Sequence, residues 1–235
     1  MIPFLAVDDP IAAPGRARFG GVYPALVRDV QDPDNQGRVK VELPFLAGGD
    51  SAPAQAWARL ATMMAGTERG TWFIPEPGDE VLVAFYAGDP SRPVVIGALW
   101  NGADAPPETM DAQNNIRAIT SRSGHRVLLD DTAGAEKVEV ETQGGHKLTL
   151  DDAAGGTITL EHSNGVKLTM DAVGNVELTA NVKVTVNAPA QLSVTAGMVQ
   201  VDAGMSRFSG VVQCDTLITN SVVSASYTPG AGNVW

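Results

Sequence analysis

From Gly124 onward the sequence repeats about every 20 residues, and each repeat carries apolar rows that nothing in the repeat itself can cover. The segment Gly124-His125-Arg126-Val127-Leu128-Leu129-Asp130-Asp131 aligns with Gly145-His146-Lys147-Leu148-Thr149-Leu150-Asp151-Asp152, and then with Gly165-Val166-Lys167-Leu168-Thr169-Met170-Asp171-Ala172. A second limb follows each: Val138-Glu139-Val140, Ile158-Thr159-Leu160 and Val176-Glu177-Leu178. The unit reads strand, Asp-rich turn with Gly, strand. Alternation is strict, with Lys147 and Thr149 on one side and Leu148 and Leu150 on the other. A chain of such units covers its apolar rows either by coiling on itself or by wrapping with copies around a shared axis. A single-chain solenoid usually has a shorter regular rung and a capping helix, and neither is found here. Three chains intertwined as a β-prism fit the pattern better, because each strand edge is then paired by a neighbour. Past Lys183 the only charges are Asp202, Arg207 and Asp215, and small β-branched residues suit a narrow shaft.

The first half obeys a different grammar. Val22 to Val27 leads to the polar turn Asp32-Pro33-Asp34-Asn35-Gln36-Gly37, and Arg38 to Leu43 alternates with Val39, Val41 and Leu43 inward. Trp57 to Ala61 follows, then a mobile-looking segment from Gly66 to Gly70, then two apolar strands around Val81 and Val94 bounded by Gly, Pro and Asp. Five short strands in about 80 residues predict a small closed barrel of the oligonucleotide/oligosaccharide-binding (OB) type. The expected domains are a leader over 1–16, the barrel over 17–102, a Pro-rich linker over 103–115 and a trimeric shaft with its tip over 116–235. The fold class is all-β.

Four phrases carry a family likeness: Asp34…Gly37-Arg38-Val39-Lys40-Val41, Trp57-Ala58-Arg59, Ile74-Pro75-Glu76-Pro77-Gly78-Asp79-Glu80-Val81 and Gly88-Asp89-Pro90…Arg92-Pro93-Val94. In order and spacing they resemble the barrel of baseplate spike proteins of the phage protein V and VgrG type, found at the tip of contractile injection machines. The resemblance implies a non-enzymatic homotrimer with an OB barrel and a β-helix shaft, which caps the tube and pierces the target envelope when the sheath contracts. It implies assembly in the bacterial cytoplasm into a baseplate. It also implies a separate trimeric hub at the barrel end, since only about 16 residues precede the barrel, and a PAAR-like tip protein at the other end. Ile2, Phe4 and Leu5 are the candidate hub contacts, although the same leader also reads as a frayed terminus. Asn233, Val234 and Trp235 are the candidate tip contacts. A trimeric fibre that binds a surface glycan is the alternative, and it should carry an exposed aromatic cluster or an extra binding domain, neither of which is expected from this sequence.

Other chemistry finds little support. A net charge of −11 opposes docking on nucleic-acid phosphates. The beginning of the chain has no basic, apolar signal-peptide pattern, and no apolar run approaches the roughly 18–20 residues of a spanning helix. His125, His146 and His162 lie about a repeat apart and read as repeated exposed side chains, with a metal held on a threefold axis as the rival reading. Some relatives hold iron through a His-x-His near the C-terminus. No His follows His162, so that site is not carried over and no cofactor is expected. Asp130-Asp131 and Asp151-Asp152 read as turn residues bonding their own backbone. Cys214, the only cysteine, reads as a small buried hydrophobe.

Overall fold

The computed structural model describes residues 18–49 and 52–226. Two units divide after Lys183. In the first, β1 (Val22–Asp29), β2 (Val39–Ala47) and β3 (Pro53–Leu60) are followed by a two-residue hairpin, β4 (Ala65–Gly66) and β5 (Arg69–Gly70). Then come β6 (Glu80–Phe85) and β7 (Pro93–Ala98), and the barrel closes in the order β1-β2-β3-β7-β6. Every pair is antiparallel except β3 with β7, where Arg59 faces Val94 and Leu60 faces Val95. The Gly66 to Gly70 segment, which reads from sequence as mobile, is the β4–β5 hairpin, held by Ala65 opposite Gly70.

Period-2 alternation decides which side chains fill the barrel. Val39, Val41 and Leu43 are fully buried, as are Val27, Ala58, Val81 and Val83. Phe85 closes one end against Phe19, Tyr23 and Phe45, with the Tyr23 and Phe45 rings stacked at 4.7 Å. The barrel therefore contains a complete core of its own.

The rest of the first unit is a seven-stranded antiparallel meander in strict sequence order: β8 (Ile116–Thr120), β9 (Arg126–Asp130), β10 (Lys137–Glu141), β11 (Lys147–Asp151), β12 (Thr157–Glu161), β13 (Lys167–Met170) and β14 (Val176–Thr179). The turn reading of the paired acids is what the structure shows. Asp130 Oδ1 accepts the Thr132 N–H and Oγ1–H, and Asp151 Oδ1 accepts the Ala153 N–H. The sequence reading pairs every strand edge with a neighbouring chain. Here β9 to β13 instead pair on both sides within their own chain, because tight turns, most of them closed by Asp130, Asp151 and Asp171 carboxylates or by Ser121 and Thr142 hydroxyls, fold each strand straight back on its predecessor.

The second unit begins at Val184. Its described residues, 184–226, form no strand and no backbone–backbone hydrogen bond among themselves. Its apolar side chains are open, Val211 and Val223 almost completely. Cys214 is exposed as well, against the expectation of burial, because its own chain supplies no layer to cover it.

Leu43→Ala should destabilise the barrel by about 2–5 kcal/mol, since the site is fully enclosed. Denaturant titration followed by tryptophan fluorescence reads this directly.

Candidate assembly surfaces

Antiparallel register sorts the meander into two unlike faces. One face carries two apolar rows running across all the strands. The first is Ile119, Val127, Val140, Leu148, Leu160, Leu168 and Leu178, and the second is Leu129, Val138, Leu150, Ile158, Met170 and Val176, with Arg117 at its end. Twelve of these thirteen apolar side chains are 37–67% exposed. The other face carries Lys137, Glu139, Glu141, Lys147, Thr149, Thr159, Glu161 and Lys167, with Lys147 Nζ 3.2 Å from Glu141. Leu128 is the exception there, and it is buried. An apolar patch of this extent and continuity marks an interaction surface.

The edge turns at one side of the sheet hold the histidines, and these have a use that the sequence reading misses. His125 Nδ1 accepts the Gln143 N–H, His146 Nδ1 accepts the Ser163 N–H, and His162 Nδ1 accepts the Asn164 N–H, each at 3.2 Å. The first two bonds stitch one hairpin turn to the next, and the His146 and His162 rings lie 4.2 Å apart. Each Nδ1 is thereby occupied as an acceptor. Among the described residues no group of three or more His, Cys, Asp or Glu is placed to hold a metal ion.

Where the barrel meets the meander, Arg122 Nη1 is 3.0 Å from Glu76, and Arg126 Nη2 is 2.7 Å from Glu108. The first is a largely open pair of small individual worth, and the second is part-buried.

Within the barrel the most constrained polar group is Asp32, whose side chain is 4% exposed. It receives the Arg38 guanidinium at 2.6 Å and the backbone N–H groups of Asp34, Gln36 and Arg38. Arg38 is the main reason the Asp32 carboxyl titrates far below the usual carboxylate range; burial opposes the shift, and the three N–H groups add to it. Reciprocally, Arg38 is held still more firmly protonated, first by Asp32. Arg28 forks onto Glu42 at 2.7 and 2.9 Å and lowers that carboxyl too. These ion pairs fix a turn and a strand face; they are not arranged around a reacting atom.

Ile2, Phe4 and Leu5, and Asn233, Val234 and Trp235, lie outside the described residues. Against the expectation that exposed aromatic side chains are lacking, Trp72, Phe73, Tyr86 and Trp100 are all more than half exposed. Placement at loop ends of the barrel exposes them, which alternation alone does not reveal.

Comparison with known proteins agrees with both architectures. Residues 23–100 match the type VI secretion system/phage-baseplate injector OB domain, and residues 137–205 match the phage baseplate V C-terminal trimerisation domain. Together these spans exceed half of the chain. The chain belongs to the baseplate spike family.

Similar proteins include the type VI secretion system spike protein VgrG3 of Vibrio cholerae, 30% identical over 45% of this chain and 11% of that protein. The spike protein VgrG1a of Pseudomonas aeruginosa is 30% identical over 46% of this chain and 18% of its own length. The actin cross-linking toxin VgrG1 of Vibrio cholerae is 28% identical, over 45% of this chain and 10% of that toxin. The chain thus spans less than a fifth of the length of these relatives. The matched domains are a barrel and a trimerisation element, so this family member is a baseplate-type structural chain, and the trimerisation match supports a homotrimer.

Because the Asp32 carboxyl is depressed, its stabilisation is full above the unfolded carboxylate pKa and is lost as pH falls toward the folded value. Asp32→Asn should lower the barrel's denaturation midpoint at about pH 7, and the gap to wild type should begin to narrow below about pH 4 and be smaller at about pH 3, closing only as pH approaches the far lower folded value. A gap unchanged between those pH values would contradict this.

Proposed function

We propose that three copies form the central spike of a contractile tail or related injection apparatus, closing the tube at the baseplate and piercing the target envelope on sheath contraction. The observation that carries the reading is the continuous open apolar face of the meander. Covering about a dozen half-exposed side chains, at on the order of 1 kcal/mol each, contributes roughly 10 kcal/mol per chain. That matches the scale of the roughly 4–15 kcal/mol lost on association, and three faces meeting at one axis share the gain.

The spike has two zones in this account. The meander over β8–β14 folds with hydrogen bonds inside each chain and contributes one wall of a prism. Residues from 184 onward find their backbone partners only on the other two chains, so this part is fully interlocked. Such an arrangement places the strongest resistance to unfolding toward the end that strikes. Cys214 and the valines of this stretch are then enclosed at the axis. The work is mechanical, with no catalytic step assigned to any residue.

At the barrel end, Ile2, Phe4 and Leu5 dock on a separate trimeric hub. At the other end, Asn233, Val234 and Trp235 seat a PAAR-like tip protein. Assembly takes place in the bacterial cytoplasm before the particle is loaded.

Leu150→Asp, in the middle of the apolar face, tests the role in the particle. Contractile particles from cells lacking the native chain, supplied with wild type, should contain it and kill target cells. Particles from cells supplied with the variant should lack the spike and be inactive. Normal killing by particles without the chain would overturn the proposal.

A further inference from the structure

We propose that the groove beside the β1–β2 turn of the barrel binds a neutral sugar ring of a glycan, a site separate from the assembly surfaces and independent of the spike reading. The groove has a volume of about 390 Å³, within the roughly 300–1,000 Å³ of small-molecule sites. Its apolar lining is Val30 and Ile74, with Trp72 as a wall, and Gln31, Asn35 and Arg38 supply polar groups.

Trp72 is 75% exposed yet is not free to drift. Its ring edge rests on Gly37, where an added Cβ would stand 3.3 Å from Cζ3 and where φ is +72°. The chain leading into it is pinned, since Thr71 N–H donates to the Met64 carbonyl at 3.0 Å and Thr62 Oγ1 donates to the Thr71 carbonyl at 3.0 Å. A large indole surface is therefore held open to solvent by a close-fitting glycine and a small hairpin. Gln31 and Asn35 use their backbone N–H groups within the turn, while their side-chain amides have no partner among the described residues.

The charge balance selects the ligand class. Asp32 is committed to Arg38, and Arg38 is matched by Asp32 at 2.6 Å and Asp34 at 2.5 Å. Among the residues lining the groove no unpaired cation is left for a phosphate, which a single-stranded nucleic acid would need beside its stacking platform. The neighbouring Trp57 has Arg38 and Lys40 about 6 Å from its ring, which leaves Trp72 as the open stacking face. The barrel is closed, so no free strand edge beside the groove invites an extended peptide. A sugar ring offers what the groove lacks: an uncharged C–H face for the indole, and hydroxyls for two amides that can each donate and accept.

Calorimetric titration of the full chain with a β-linked N-acetylglucosamine tetramer, with maltotetraose and with oligothymidylate tests the site. Saturable binding of at least one sugar, and none of the oligonucleotide, is expected. Trp72→Ala, at an open side chain that leaves the barrel core intact, should weaken sugar binding at least about tenfold, and Trp72→Phe should restore most of it. Gln31→Ala should cost a few-fold. Preference for the N-acetylated tetramer points to a wall polymer as the source, and equal binding of both points to a general glycan contact. No sugar binding at millimolar concentration, sugar binding that survives Trp72→Ala, or binding of the oligonucleotide would each overturn the proposal.

Discussion

One sheet face with nothing to lie against governs the rest of this molecule. Strict alternation places Leu148, Leu150, Ile158 and Leu160 on the same side as Val127, Val138 and Val140, and the barrel's own core is already full without them. A single antiparallel sheet tolerates water on one face, provided that face is polar. Here the polar face is present, with Lys147 and Glu141 paired on it, and the apolar one is left open. The meander is complete as backbone and incomplete as a core, so association becomes part of folding.

The two halves therefore divide the physical work. The barrel closes all its strand edges, buries Val39, Val41 and Leu43, and locks its first turn with Asp32 and Arg38. It is a rigid element that needs no neighbour. In the meander, local Asx turns and histidine acceptors fix hairpin geometry before any partner arrives. Past residue 184 even that local support ends. Dependence on the other chains thus increases along the sequence, from barrel to meander to residues 184–226.

Much of this was legible from residues alone. The period-2 pattern of Arg38 to Leu43 placed Val39, Val41 and Leu43 inside, and the recurring Asp130 and Asp151 positions placed the turns, because both signals are local. Pairing partners were less accessible. Alternation says which way a side chain points, but not whether the next strand belongs to the same chain, so the intrachain pairing of β8–β14 emerged only in three dimensions. The histidine bonds joining turns 18 and 17 residues apart were hidden for the same reason. So was the open indole of Trp72, whose position depends on a glycine 35 residues earlier that lets the ring rest against the turn.

The number of chains in the folded object decides whether association completes this fold. Light scattering on the purified protein, before and after strong-detergent treatment without boiling, measures it directly. A species of three times 24.5 kDa that survives the detergent is the predicted result, because the described residues 184–226 have no intrachain ladder to fall back on. A stable, folded, monodisperse monomer would contradict the account, since its apolar sheet face would then be at home in water.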